Sequence, residues 1–222
     1  VRSFTAVGRI ADEEIWQARA LNHRAMLNLA VGALTQADRD YARSEQLFAS
    51  CGQHGELAYA RMERGLAAHA QGDLPRALSL FDQAQELFSG LGVFEPDLAV
   101  NRSEVLLAAG LARDALLTSE MALSHVANQR GAAASRAALT YMAAQSAMAD
   151  GDLETAARRA REALVYYARQ QHPHGADRAR LVLLQTRTRD ELGRASDLSQ
   201  AVELAARLDA YDPEEAARAH LL

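Results

Sequence analysis

The residues able to do chemistry are few and badly placed for it. Cys51 is the only cysteine and seven histidines are scattered through the chain. A thiol nucleophile needs a positioned base and donors for an oxyanion, and nothing in the sequence positions either beside Cys51. His172-Pro173-His174 sets two imidazoles two residues apart; two ligands fall short of a four-coordinate metal site, and the segment reads as a loop between helices. Asp152 and Glu154 are paired carboxylates, but they stand where a helix begins, the place for capping and for favourable interaction with the helix dipole. Arg158, Arg159, Arg161 and Arg169 form a basic cluster with Glu154 and Glu162 interleaved at helical pairing distance, which describes a solvated ion-paired face rather than a nucleic-acid patch. No phosphate loop, metal constellation or nucleophile–base pair stands out. The expectation is a non-enzyme with no catalytic, cofactor or metal residues.

Composition narrows the class further. The chain has 222 residues, 49% of them hydrophobic and only 5% aromatic. Alanine, the best helix former, is the commonest residue. Four prolines leave long stretches free to be helical, and β-branched residues are scarce. The net charge of −5 offers no general attraction to nucleic acid or anionic lipid, so neither is expected as a partner. All 24 basic residues are arginine, which with the alanine excess reads as the codon bias of a GC-rich bacterial genome. A lone cysteine points to the cytoplasm. No run of eighteen apolar residues occurs, and Val1 to Gly8 lack the pattern of a signal peptide.

What must position any functional side chain is a repeat. Gly32, Gly72, Gly110, Gly151 and Gly193 are spaced 40, 38, 41 and 42 residues apart, and the first four have alanine five places on, at Ala37, Ala77, Ala115 and Ala156, where Leu198 stands in the fifth. Tyr41 and Phe81 follow four places after that alanine, and Ala84, Ala122, Ala163 and Ala205 seven places after it. A glycine past a helix end takes the left-handed conformation that closes it. The next helix starts within a few residues, with Pro75 tolerated in its first turn, and the alanine marks where two antiparallel helices touch. One pair cannot bury both faces, so pairs must stack. The spacing predicts first helices near 12–31, 55–71, 95–109, 131–149 and 175–192, and second helices near 34–50, 74–89, 112–127, 153–170 and 196–209. Turn chemistry between pairs falls at Gly52 and Gly55, Gly92 and Pro96, Asn128 and Gly131, and Pro173 and Gly175. Phe4 to Gly8 repeats the spacing of Phe48 to Gly52, which places residue 1 inside an earlier second helix. Asp212-Pro213-Glu214-Glu215 reads as a further helix start, so both ends are expected to be cuts through a longer array.

The array resembles the tetratricopeptide repeat (TPR). The segment 58–91 is the best match: Gly65 takes that family's eighth position, Ala77 its twentieth, Phe81 its twenty-fourth and Ala84 its twenty-seventh. Ser119 and Ala160 depart from the aromatic, and the period exceeds the family's usual 34 residues. The resemblance implies an all-α, TPR-like α-solenoid of antiparallel helix pairs forming a right-handed superhelix: a single array over 1–222 with units near 12–50, 55–91, 95–127, 131–170 and 175–209. A narrower resemblance, carried by residues 87–116 and 201–222, is to the helical repeats upstream of caspase-like CHAT peptidase domains in GC-rich bacteria.

In tetratricopeptide arrays the second, fifth, ninth and twelfth positions of each unit line a concave groove. Carried onto this register they include Arg19, Asn22, Met26, Tyr59, Met62, His69, Asp97, Val100, Glu104, Tyr141, Gln145, Arg180 and Arg187. Tyrosine, methionine and arginine suit protein recognition. The basic pattern that clamps a free C-terminus in chaperone-binding relatives is absent. The implied function is a scaffold or sensor that binds a protein or peptide on that face within a larger bacterial regulatory protein, with a CHAT-type peptidase domain downstream. The alternative is the helical region of an ATPase or transcription regulator that binds a small effector. Exposed repeat ends also allow a homodimer.

Overall fold

The computed structural model describes residues 2–189 and 195–209. Among them every regular element is an α-helix: α1 (Arg2–Ala30), α2 (Leu34–Ser50), α3 (His54–Ala70), α4 (Leu74–Gly90), α5 (Pro96–Ala108), α6 (Ala112–Val126), α7 (Ala133–Asp150), α8 (Leu153–Arg169), α9 (Pro173–Arg189) and α10 (Ala195–Leu208). The fold class is that expected, an all-α array of helix pairs. The chain divides into two compact units, Val1–Val105 and Leu106–Leu222, with the division falling inside α5.

Helix ends follow the local chemistry. Gly151 caps α7 at φ 85°, and Gly32, Gly72 and Gly110 also have positive φ; a β-carbon there would clash with the neighbouring carbonyl. Gly193 and the Asp212–Glu215 helix start lie outside the described residues. Asp73 accepts a hydrogen bond from the Arg76 amide at 3.2 Å and so caps α4, and Asp152 accepts one from Thr155 at 3.0 Å and caps α8.

Two local expectations are corrected. The spacing of Phe4 to Gly8 placed the end of an earlier helix ahead of a first helix at 12–31, but α1 runs unbroken from Arg2 through Gly8 to Ala30. A single glycine costs a helix only about 1 kcal/mol relative to alanine, and no proline or second glycine reinforces it. Between α8 and α9 the turn was expected at Pro173 and Gly175, but α9 begins at Pro173 and Gly175 lies inside it. The left-handed residue is instead Gln171, at φ 54°. His172 Nδ1 then accepts the Gly175 N–H at 2.9 Å, acting as the cap. Gly175 is required for a different reason: a Cβ there would lie 2.5 Å from Tyr167 Cδ1.

In unit 1, α1 packs on α2, α2 on α3 and α3 on α4. The seam alanines Ala37 and Ala77 are fully buried. Ala58, Met62, Phe81, Ala84, Phe88, Leu98 and Val105 belong to one apolar cluster that joins α3, α4 and α5. Gly65 is what admits the Phe81 ring: a Cβ at Gly65 would stand 2.7 Å from Phe81 Cδ1 and closer still to Cε1. In unit 2, α6 packs on α7, α7 on α8, α8 on α9, and α9 on α10. Ala115, Ala156, Ala160 and Ala163 are fully buried there, so the helices approach closely, while Leu181, Leu184, Leu204 and Leu208 join α9 to α10.

Candidate partner-binding faces

In unit 1 the first helices of successive pairs, α1, α3 and α5, carry most of the expected groove residues. The Arg19 guanidinium stands 5.2 Å above the Trp16 ring and donates to Glu56 of α3 at 2.9 Å. That cation holds the Glu56 carboxyl below the usual range. Tyr59 is exposed, packs its ring edge-on against Phe88 at 5.0 Å and donates its hydroxyl to Glu95 at 2.5 Å. The accepting carboxylate, together with burial, pushes the phenol up to about 12, so the hydroxyl stays a donor at physiological pH. Burial raises the Glu63 and Asp97 carboxyls, and each also faces another acid: Asp97 acts on Glu63, and Glu95 on Asp97. Met26 is exposed, and His69, Val100 and Glu104 are half-buried. The face therefore offers an aromatic, a methionine and a stacked arginine beside an acidic edge.

In unit 2, Arg180 and Arg187 of α9 are exposed, and Gln145 of α7 is half-buried. Arg180 donates to Asp177 at 2.5 Å and Arg187 to Asp197 at 3.5 Å.

Met62 and Tyr141 are not surface residues. They are 5% and 2% exposed, the Tyr141 ring lying under the Arg178 guanidinium at 4.5 Å. They share one register position with Asn22, which is half-buried with its Oδ1 enclosed and without a hydrogen-bond partner. The reason is helical geometry. Arg19 and Met26, or Tyr59 and Leu66, are seven residues apart and share one line along the helix; the residue three after the first is turned about 60° away. In this array that turn takes the side chain into the seam between helices. Sequence reasoning passed over Trp16, Glu56, Glu63 and Glu95. Two of them had a usable signal in the 40-residue offset, since Glu56 and Glu63 stand at the register positions of Trp16 and His23.

The other candidates resolve as structural groups. Cys51 donates to Glu14 at 3.4 Å, and burial together with that carboxylate raises its thiol pKa, the reverse of what a nucleophile needs. His172 caps α9. Arg159 is shared between Glu120 of α6 and Glu162, and Arg158 pairs with Glu162 at 3.4 Å, so part of the basic cluster is spent on neighbouring acids. Among the described residues no group of three His, Cys, Asp or Glu could hold a metal ion, and no helix is long and apolar enough to cross a membrane.

No protein-family model matches the chain, and no curated protein matches it. Solved structures do. A Podosopora anserina protein of kinesin-light-chain type with nearly identical TPR-like repeats aligns, in its Q17M form, with TM-score 0.69 and 16% identity over 86% of this chain and 94% of that one. The same protein without that change gives 0.67 and 15% over 87% and 96%. Yeast Tom70 gives 0.62 and 16% over 95% of this chain and 41% of its own. At such identities the likeness is one of fold: successive helix pairs of TPR-like type.

Proposed function

We propose that the chain is a protein-interaction scaffold or sensor that holds a protein or peptide segment against the first helices of its pairs. The observation that carries this reading is the face built by Arg19, Met26, Tyr59 and Asp97 in unit 1. There adaptable apolar area stands next to fixed charges, the mixture found in recognition surfaces. The acidic edge formed by Glu63, Glu95 and Asp97 favours a segment with a basic residue near an apolar one.

The finer setting rests on sequence. The resemblance of residues 87–116 and 201–222 to CHAT-associated repeats, with the arginine-only, alanine-rich composition, supports a sensor segment of a cytoplasmic bacterial regulator with a peptidase domain downstream.

A peptide-library selection on the purified chain tests the binding reading. Selected peptides are expected to carry Arg or Lys beside a large apolar residue and to lose at least about tenfold in affinity on Tyr59→Ala. Peptides that bind Tyr59→Ala and Arg19→Ala as well as the parent protein would show that the partner surface lies elsewhere.

A further inference from the structure

A cavity inside unit 2 carries a second kind of site, independent of the unit 1 face. Helices α8, α9 and α10 line a cleft of about 260 Å³ that is open to solvent along one side. Its apolar wall is Leu164, Leu183, Leu184 and Leu204; its charged wall is Arg180, Arg187 and Arg207, with Glu203 beside them. The guanidiniums are half exposed and tethered to buried carboxylates. Asp177, 6% exposed, accepts from Arg180 at 2.5 Å and from Arg207 at 2.9 and 3.3 Å, tying α9 to α10. Asp197, 7% exposed, accepts from Arg187 at 3.5 Å. An arginine has five N–H donors, so each keeps donors beyond those its aspartate takes. Tethered donors beside an apolar wall match a ligand with one anionic end and an apolar body. An inorganic anion would leave the leucines unmatched, and a hydrocarbon would leave the donors unmatched.

We propose that this cavity binds a small organic acid, a carboxylate on a short alkyl or aryl body. The carboxylate lies against Arg180, Arg187 and Arg207, and the body against the leucines. Glu203 opposes it and sets a ceiling on affinity.

The test uses the full chain, titrated by calorimetry with 4-methylpentanoate and with its neutral amide. The acid is expected to bind saturably and the amide at least about tenfold more weakly, the loss that follows from removing a charge-assisted contact. Arg187→Gln weakens the acid by a similar factor and leaves the amide unchanged. Glu203→Gln tightens the acid, a gain that a misfolded variant cannot produce. No saturable binding, equal binding of acid and amide, or an acid affinity indifferent to Glu203→Gln overturns the proposal. Short peptides ending in leucine, with a free or amidated terminus, identify the source of the carboxylate. A free-acid peptide tighter than 4-methylpentanoate assigns the cavity to a protein tail, and the reverse order to a metabolite. Partner binding lost on Tyr59→Ala and acid binding lost on Arg187→Gln are separate readouts, so either reading can fail alone.

Discussion

The helix pair α3–α4 in unit 1 and the pair α7–α8 in unit 2 occupy the same register yet differ in which helix carries the large buried side chains. In α3–α4 the first helix contributes Gly65 and the second Phe81, fully buried. At the same register positions α7–α8 has Ala144 and Ala160, both fully buried. Large buried side chains stand instead on the first helix: Leu139, Tyr141, Met142 and Met148 are all buried on α7, Tyr141 beneath Arg178 of α9, while the buried residues of α8 are three alanines. The repeat therefore conserves the closeness of the helices, set by Ala77 and Ala156, and lets bulk trade between the partners. Volume-conserving exchange of this kind is what cores tolerate best.

The largest effect expected from this comparison is Phe81→Ala, which empties a space that Gly65 leaves open. It should cost about 3–5 kcal/mol in urea unfolding. A loss below about 1 kcal/mol would mean the seam does not depend on the ring. Next comes Ala160→Phe, which imitates unit 1 at an alanine that is already fully buried. Overpacking should cost about 1–3 kcal/mol. A neutral or stabilised variant would show that the two seams are interchangeable and the compensation illusory.

The smallest effect concerns charge. Asp40 and Glu56 are held low, Asp40 by Arg24 and Glu56 by Arg19, so their stabilisation is present above the ordinary carboxylate range and is lost as pH falls through the depressed values. Glu63 and Asp97 are raised by burial, so their contribution is fully present below that range and is lost as pH rises through the raised values. Glu63→Gln removes one buried charge. It should add a few tenths to about 1 kcal/mol at neutral pH, shrinking toward zero below about pH 4. Paired urea titrations across that interval measure the difference, and a gain that persists in acid would contradict the assignment to charge.

The architecture was legible because its signals are local. A left-handed glycine followed five residues later by a seam alanine states where a helix ends and where two helices meet. At Gly8 the sequence showed a glycine without the rest of the pattern, and at Gln171 it hid a left-handed residue behind a side chain that rarely adopts that conformation. The candidate face was only half legible. Arg19 and Tyr59 follow from register alone, but whether the position three residues later points outward depends on how far the helix is rotated in its seam. That rotation depends on what packs opposite, the apolar cluster containing Phe81 for Met62 and the Arg178 guanidinium of α9 for Tyr141. The cavity beneath Arg180 and Arg187 was not legible at all, since its walls come from three helices and its shape from their spacing.

Trp16, the chain's only tryptophan, is 67% exposed and sits under the Arg19 guanidinium at the middle of α1. An indole already in water emits at nearly the same wavelength folded or unfolded, so its fluorescence registers little when the cores of Phe81 or Tyr141 melt. Denaturation followed by tryptophan emission would report the local fate of one helix, whereas far-ultraviolet circular dichroism would report all of them. Disagreement between the two probes is then built into the position of a single residue and does not signal a folding intermediate.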